Sequence, residues 1–421
     1  MYNDMPVVDV YAQEVLDSRG IPAAKIEVMT EDGSIGRVVL PQGAPGCRCG
    51  ANASTELGAC SGEQGLSDVC HFVNSVLAGE LIGENVYEQA AIDRILSHHG
   101  GGYGVSLALA AAAAKTCNQP LYRYLGGMIA CCLPSPMMGI LTRGNHAAEA
   151  MDFQEILIMP VRMRLLGQGL RMCVRVYEET ENILRERKLS AVVGENGGFL
   201  PALADAGEAL ALVTEAIERA GGHPGEDVVL GINAAAGRMY EKSLDCYVFA
   251  GESAASGREI RRSREEMIAY LEELCQTYPI RVLEDALEEN DWDGWSKLTE
   301  HLGGRVELVG GDLFHTDRKR LAQGIRSGAG NAIRLNAGEA GTLTDVLALA
   351  ELARKNGYRT VVSCCPRETE DTFAADLAVA VGAVQFQGGA PHGAEWTAKY
   401  NRLLCIEDSL GLAASCENQF R

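Results

Sequence analysis

The sequence lacks any hydrophobic run long enough to cross a membrane. Its most apolar stretch, Val105–Ala114, is about half of the roughly 20 residues that a membrane-spanning helix needs. Positive charge is also scarce, because 37 Lys and Arg stand against 57 Asp and Glu, which gives a net charge of −20. Nucleic acids and anionic membranes attract Lys and Arg, so we expect neither as a partner.

A secretory signal is missing as well, since residues 1–9 show no basic segment followed by an apolar run. We therefore expect a cytoplasmic protein whose 14 cysteines are reduced thiols. With 421 residues, of which 47% are hydrophobic, the chain is long enough for two globular domains.

The first part of the chain, residues 1–128, has the pattern of an α+β domain. Strands are predicted at Val7–Val15, Ala24–Thr30 and Ile35–Leu40, and Asp32-Gly33 is a hairpin signal between the last two. Helical segments follow near Gln64–Leu77, Val86–Leu96 and Val105–Cys117.

The second part, residues 129–421, alternates short apolar strands with amphipathic helices from about residue 189 onward. Ser263–Glu266 is typical of a capping box at the start of a helix, and Thr342–Lys355 is predicted as another helix. Strands are predicted at Ile280–Glu284, Val306–Val309, Ala332–Leu335, Thr360–Ser363 and Ala383–Phe386. Repeated βα units imply a parallel sheet, and this many imply a closed α/β barrel.

Several segments are similar, in the same order along the chain, to motifs of one known family. They are Val10–Gly20, Pro136–Met138, Asp152–Glu155, Glu284-Asp285, Asp291–Gly294, Leu308–Gly310, Glu368–Asp371 and Ala398–Asn401. On these motifs the chain resembles the enolase (phosphopyruvate hydratase) family over essentially its whole length. The resemblance implies an N-terminal α+β domain at 1–128 and, at 129–421, an enolase-type ββαα(βα)6-like TIM barrel with an antiparallel second strand pair. It also implies a homodimer.

The resemblance gives positions to the catalytic groups, and most of these groups are replaced. In enolases a lysine removes a proton and a glutamate helps a hydroxyl group to leave. The lysine position is Asn336 and the glutamate position is Asn196; the neighbouring Glu195 points to the opposite face in extended backbone. Because an amide cannot accept a proton near neutral pH, both functions are expected to be lost. His146 and Glu155 are the retained catalytic candidates.

Mg²⁺ is the cofactor that the resemblance implies, held by three carboxylates. Here Glu284 remains, while Asn233 and Gly311 stand at the other two ligand positions. Asp312 is a weak further candidate. Because one charged ligand and an amide make a poor magnesium site, we expect no cofactor. Glu155 and Glu284 could still keep a weak cation site, the alternative being hydrogen-bonded remnants at strand ends.

Substrate-binding positions are altered in the same way. Gln154 is retained, whereas Cys364, Cys365 and Gln387 replace the histidine, arginine and lysine that the resemblance implies. Carboxylates and cations are thus lost together. Since a buried charge without its partner is strongly destabilising, this pattern predicts a neutralised pocket.

The cysteines offer one new kind of chemistry. Cys47 and Cys49 belong to the loop that closes over the site in the resembled family, and Cys364 and Cys365 replace pocket residues. Four converging thiols could hold Zn²⁺ or an iron–sulfur cluster. The alternative is that these cysteines are small buried hydrophobic residues, because C-x-C and Cys-Cys are weaker ligand signals than paired C-x-x-C.

Arg334, within an apolar strand, is expected to pair with a carboxylate such as Glu284, with anion binding as the alternative. The sequence as a whole favours an enolase-like pseudoenzyme that acts by binding an unknown ligand or protein partner. Two alternatives stay open. One is a retooled enzyme that uses the pocket thiols with His146 and Glu155, and the other is a true enolase with an unrecognised site.

Overall fold

A computed structural model of the chain describes residues 4–41, 63–100, 102–144, 151–336, 338–364 and 368–416. It begins with an antiparallel meander of three neighbouring strands, β1 (Val7–Leu16), β2 (Pro22–Thr30) and β3 (Ile35–Pro41). Between β2 and β3 the amide of Gly33 donates to the carbonyl of Thr30 over 2.9 Å, and Gly33 has φ +82°, which favours glycine. The predicted strands and hairpin turn are therefore confirmed.

A group of helices packs on this meander. A short π-helical segment, Val73–Leu77, joins the first two of them. At Gly36 a Cβ atom would lie 1.9 Å from the carbonyl oxygen of Ala108, so only glycine permits this close packing of β3 against the Ala-rich helix. The helices are α1 (Glu63–Phe72), α2 (Ala78–Leu81), α3 (Gln89–His98), α4 (Tyr103–Thr116) and α5 (Leu121–Gly126).

The larger sheet is a nearly closed barrel. Its strands are β4 (Ser135–Pro136), β5 (Met138–Thr142), β6 (Glu155–Pro160), β7 (Val228–Asn233), β11 (Ile280–Glu284), β12 (Glu307–Gly310), β13 (Ala332–Asn336), β14 (Arg359–Ser363) and β15 (Gln385–Gln387). They are hydrogen-bonded in the order β4-β15-β14-β13-β12-β11-β7-β6-β5. Met137 joins the two outer strands, β4 and β5. Strand β6 runs antiparallel to both neighbours, as the resemblance implied, and the strands from β7 through β15 to β4 pair in parallel.

Helices and a small antiparallel sheet surround the barrel. The sheet contains β8 (Tyr240–Glu241), β9 (Cys246–Val248) and β10 (Arg261–Arg262). The helices are α6 (Leu166–Glu186), α7 (Ala206–Arg219), α8 (Ala250–Ser256), α9 (Arg264–Thr277), α10 (Trp292–Leu302), α11 (Arg318–Ser327), α12 (Leu343–Lys355), α13 (Phe373–Ala380) and α14 (Ala394–Leu410). Across the described ranges, none of the helices combines the length and apolar character needed to span a bilayer.

Two helix starts follow directly from side-chain chemistry. Ser263 caps α9 and Glu266 bonds back to the Ser263 amide over 2.7 Å, which confirms the predicted capping box. Helix α12 begins one residue later than predicted, at Leu343, because the Thr342 side chain accepts a hydrogen bond from Asp345 and acts as the N-cap.

The inside of the barrel is a packed apolar layer with polar residues at both ends. Side chains two apart on a strand share a face, and here the inward face carries apolar residues in the middle of the strands. They form one buried cluster, Met137, Leu157, Met159, Val161, Val229, Val282, Val309, Ala332 and Val361. This layer separates the two polar ends of the barrel, of which the end that receives the carboxyl termini of the parallel strands is the one that carries function in such folds.

Candidate functional site

Strand register brings the predicted site residues to that end of the barrel. Glu155, Asn233 and Glu284 pair in register across β6, β7 and β11. A second row, Asn336, Ser363 and Gln387, pairs across β13, β14 and β15. Residues paired across neighbouring strands point to the same side of a sheet. We define the mouth of the barrel by these two rows together with Asn196, Asp285, Gly311, Asp312, Arg334 and Glu339.

Arg334 lies at the centre of the mouth, two residues before Asn336 and on the same face of β13. Its Nη1 donates to Glu284 Oε1 over 2.7 Å, which is the pairing expected from the sequence. Its Nη2 lies 3.4 Å from Glu339 Oε1 and 3.5 Å from Asp312 Oδ1. Asp285 Oδ2 is 3.9 Å from Nη1. These opposite charges raise the pKa of Arg334, so the guanidinium is always charged.

Gly311 leaves the space that this guanidinium fills. A Cβ atom at Gly311 would lie 2.6 Å from Arg334 Cζ and 2.6 Å from Asp285 Oδ2. The amides of Gly311 and Asp312 donate to Asp285 Oδ1 over 2.9 Å and 2.8 Å. A side chain at the third ligand position and the guanidinium of Arg334 therefore exclude each other.

Glu155 is a further carboxyl group of the mouth whose acidity is altered. Asn196 Nδ2 donates to its Oε1, and Gln387 Nε2 lies 3.4 Å from its Oε2. The same Nε2 donates to Glu284 Oε2 over 3.1 Å, so the two carboxyl groups share one amide donor. Burial, followed by the charge of Glu284, raises the pKa of Glu155 to about 7.

Glu195 and Asn196 lie in a turn, and not in the extended backbone that the prediction assumed, but their side chains still have different partners. Asn196 reaches Glu155 inside the mouth, whereas Glu195 forms an ion pair with Arg19 on the outside. The side chain of Glu195 is 50% exposed. Glu195 therefore does not replace the missing acid of the mouth.

Asn336 ends β13 at the position implied for a catalytic lysine. Its Oδ1 accepts a hydrogen bond from the backbone amide of Gly338 over 3.0 Å, and the backbone amide of Asn336 donates to Thr316 Oγ1 over 3.2 Å. Thr316 in turn donates to Glu339 Oε2 over 2.9 Å. Glu339 and Thr316 are members of this network that sequence reasoning missed; the acidic residue three positions beyond the strand end was the available signal for Glu339.

The predicted neutral pocket contains more carboxyl groups than the replaced positions alone suggested. In the described part of the mouth, carboxyl groups outnumber cations, since Arg334 is the one cation among Glu155, Glu284, Asp285, Asp312 and Glu339. Burial, followed by repulsion from Asp312, raises the pKa of Glu284 and of Asp285. Replaced residues can be counted in the sequence, whereas the convergence of carboxyl groups from three loops on one guanidinium depends on the fold.

The other predicted residues lie at the edges of the mouth or outside the residues that the structure describes. The carbonyl of Gln154 accepts a hydrogen bond from the Arg143 amide over 2.8 Å, and Asn233 Oδ1 accepts one from the Ala235 amide over 3.1 Å. Cys364 is partly buried and lines a small cavity of about 40 Å³ together with Ser363 and Asn336. The candidates outside the described residues are His146, Cys47, Cys49 and Cys365.

The residues present do not fit a magnesium ion. Mg²⁺ requires hard oxygen ligands in near-octahedral geometry. Glu284 is occupied by Arg334 and Gln387, and Gly311 offers no ligand. Within the ranges that the structure covers, no three His, Cys, Asp or Glu side chains are arranged as a metal-binding group.

The architecture defines a class of protein: an α/β barrel with one antiparallel strand and a polar mouth, preceded by a smaller α+β unit. Comparison with protein families gives the same assignment in two pieces. The family model described as "Enolase, N-terminal domain" matches residues 7–125, and "Enolase, C-terminal TIM barrel domain" matches residues 130–419. The chain therefore belongs to the enolase family.

Proposed function

We propose that this enolase-family protein is a pseudoenzyme that does not dehydrate 2-phosphoglycerate and acts instead by binding. The observation that carries the proposal is Asn336, an amide at the end of β13 where the family mechanism needs a proton acceptor. The Oδ1 atom of Asn336 is already engaged by the Gly338 amide. A group of this kind removes no proton from carbon near neutral pH.

Two further features support the proposal. The acid position is Asn196, which donates to Glu155 and has no acidic proton of its own to transfer. The position of the third metal ligand is Gly311, with Arg334 in the space beside it. Losing one general acid–base group typically costs about 10²- to 10⁴-fold in rate, and losing base, acid and metal removes most of the transition-state stabilisation.

A coupled assay with 2-phosphoglycerate and Mg²⁺ tests the proposal. We expect no turnover above background from the folded protein, and an active enolase added to the same sample should show its full rate, which excludes inhibition by the preparation. Asn336→Lys is the informative variant. It should also be inactive, since the catalytic acid and the metal ligands are still absent. Turnover by the wild-type chain at the rate of an ordinary enolase would refute the proposal.

The remaining assignments belong to the same proposal. We propose a cytoplasmic homodimer with domains at 1–128 and 129–421, on the basis of the family resemblance. Sedimentation of the purified chain tests the dimer: a monomer at micromolar concentration would contradict it.

A further inference from the structure

The strongest unexplained feature of the molecule is one guanidinium surrounded by four carboxyl groups. Arg334 contacts Glu284 at 2.7 Å, Glu339 at 3.4 Å, Asp312 at 3.5 Å and Asp285 at 3.9 Å. Structural ion pairs normally match one cation with one or two acids. Elsewhere in this chain Arg262 pairs with Glu252 at 2.7 Å, between the rings of Phe249 and Tyr270.

An array of four carboxyl groups is unstable without a cation. Glu284 is fully buried and Asp285 is 3% exposed, so ionising both at low effective dielectric is costly unless a cation lies beside them. The chain supplies one positive charge from Arg334, whose side chain is 15% exposed. Gly311 makes this possible, because any Cβ atom there would meet the guanidinium carbon at 2.6 Å.

We propose that Arg334 is a built-in cation that occupies the place of a divalent metal ion and keeps the acidic mouth folded without one. A guanidinium offers several N–H donors in a fixed plane and cannot lose its proton, so it serves this role at any physiological pH. The proposal holds whether or not the protein has an enzymatic activity.

A latent divalent-cation site follows from this arrangement. When the Arg334 side chain is shortened to alanine, the four carboxyl groups keep their backbone positions and lose their cation. Carboxylate oxygens are the ligands that Mn²⁺ and Ca²⁺ prefer. With Arg334 in place, the described His, Cys, Asp and Glu side chains form no group that could hold a metal. Once the guanidinium is removed, we expect the four carboxyl groups to move together around such an ion.

The experiment compares wild type with Arg334→Ala and with the matched control Arg262→Ala, using MnCl₂ as the probe. The readouts are the melting temperature with and without EDTA and the free Mn²⁺ signal in electron paramagnetic resonance. Arg334→Ala should lower the melting temperature, bind Mn²⁺ at least about tenfold more tightly than wild type, and recover stability as Mn²⁺ is added. Arg262→Ala also removes a partly buried cation, but from a single carboxylate, so it should gain no Mn²⁺ response.

Several outcomes would overturn the proposal. One is an Mn²⁺ response of the wild-type chain that Glu284→Gln abolishes, since the mouth would then hold a metal beside Arg334. Another is an equal Mn²⁺ response of Arg334→Ala and Arg262→Ala. If Arg334→Ala does not fold alone, refolding from urea decides the same question: a folded fraction that rises with Mn²⁺ is expected, and a fraction that does not change overturns the idea.

Discussion

The two ends of the barrel differ in how their buried carboxyl groups are paired with cations and amides. At the end opposite the mouth, which we call the floor, Arg359 Nη1 pairs with Glu307 Oε1, and Gln385 Nε2 donates to Glu307 Oε2 over 2.6 Å. Both oxygens of one carboxylate are thus satisfied by one cation and one amide. At the mouth, one cation and the side-chain amides of Gln387 and Asn196 are shared among several carboxyl groups.

This difference separates a structural ion pair from a site. At the floor, one arginine is matched to one carboxylate. The arginine side chain is 40% exposed, so water also solvates its charge. The mouth is unbalanced and more enclosed, which costs stability that a purely structural arrangement would not need. Excess acid at the functional end of a barrel is the kind of local conflict that proteins keep at sites rather than in cores.

The largest expected loss of stability comes from removing the arginine of the mouth, and the arginine of the floor provides the comparison. Arg334→Met should lower the free energy of unfolding by about 3–5 kcal/mol, because it leaves buried carboxyl groups without their cation. Arg359→Met should cost only about 1–2 kcal/mol, because water can replace an exposed guanidinium beside Glu307. Urea unfolding at pH 7 measures both. Equal losses would mean that mouth and floor are energetically alike.

The next effect depends on pH and concerns Glu155. Its pKa is raised from 4.5 to about 7, so its contribution to stability is complete below pH 4.5 and is lost as pH rises through 7. Glu155→Gln removes this titration. Relative to the variant, wild type should lose up to about 3 kcal/mol between pH 4.5 and 9. The variant also loses a hydrogen-bond acceptor, but this loss changes the free energy of unfolding by the same amount at every pH. The test is therefore the slope of that free energy against pH. Parallel curves for wild type and variant would refute the raised pKa of Glu155.

Strand positions could be predicted from the sequence because they depend on local pattern. The end of β13 at Asn336 followed from motif spacing, and the pairing of Arg334 with Glu284 followed from the cost of an unpaired buried charge. The contact of Asn196 with Glu155 depends on a turn, so strand alternation does not explain it. The excess of carboxyl groups over cations in the mouth could not be predicted from the sequence. Glu339 enters the mouth from a loop. Its position three residues after the strand made it a candidate, but its contact with Arg334 depends on how the chain turns there.

Backbone strain was equally hidden from the sequence. Asp285 has φ +46°, a left-handed conformation that costs energy for a residue with a side chain. It is held there by the amides of Gly311 and Asp312, which both donate to its Oδ1. The mouth is therefore strained as well as unbalanced, and Gly311 is central to both properties.

A methyl group at Gly311 tests that position directly. Gly311→Ala should cost about 1–3 kcal/mol, because the Cβ atom displaces either the guanidinium of Arg334 or the carboxylate of Asp285. Gly79→Ala is the matched control, since nothing lies within 4 Å of a Cβ atom there and Gly79 is in helix α2. This control should gain about 0.5–1 kcal/mol. Urea unfolding measures both, and a neutral Gly311→Ala would show that the guanidinium position is not fixed.

The smallest effect marks the boundary of the mouth at Glu195. Glu195→Gln removes an ion pair with Arg19 whose side chains are 50% and 31% exposed, and exposed pairs contribute only about 0–1 kcal/mol. Asn196→Leu, one residue further, removes the donor to the enclosed Glu155 and should cost about 1–3 kcal/mol. Unfolding at pH 8 compares the two variants. If Glu195→Gln proved the more harmful, Glu195 rather than Asn196 would face the barrel, and the contrast between an enclosed acidic mouth and its solvated rim would fail.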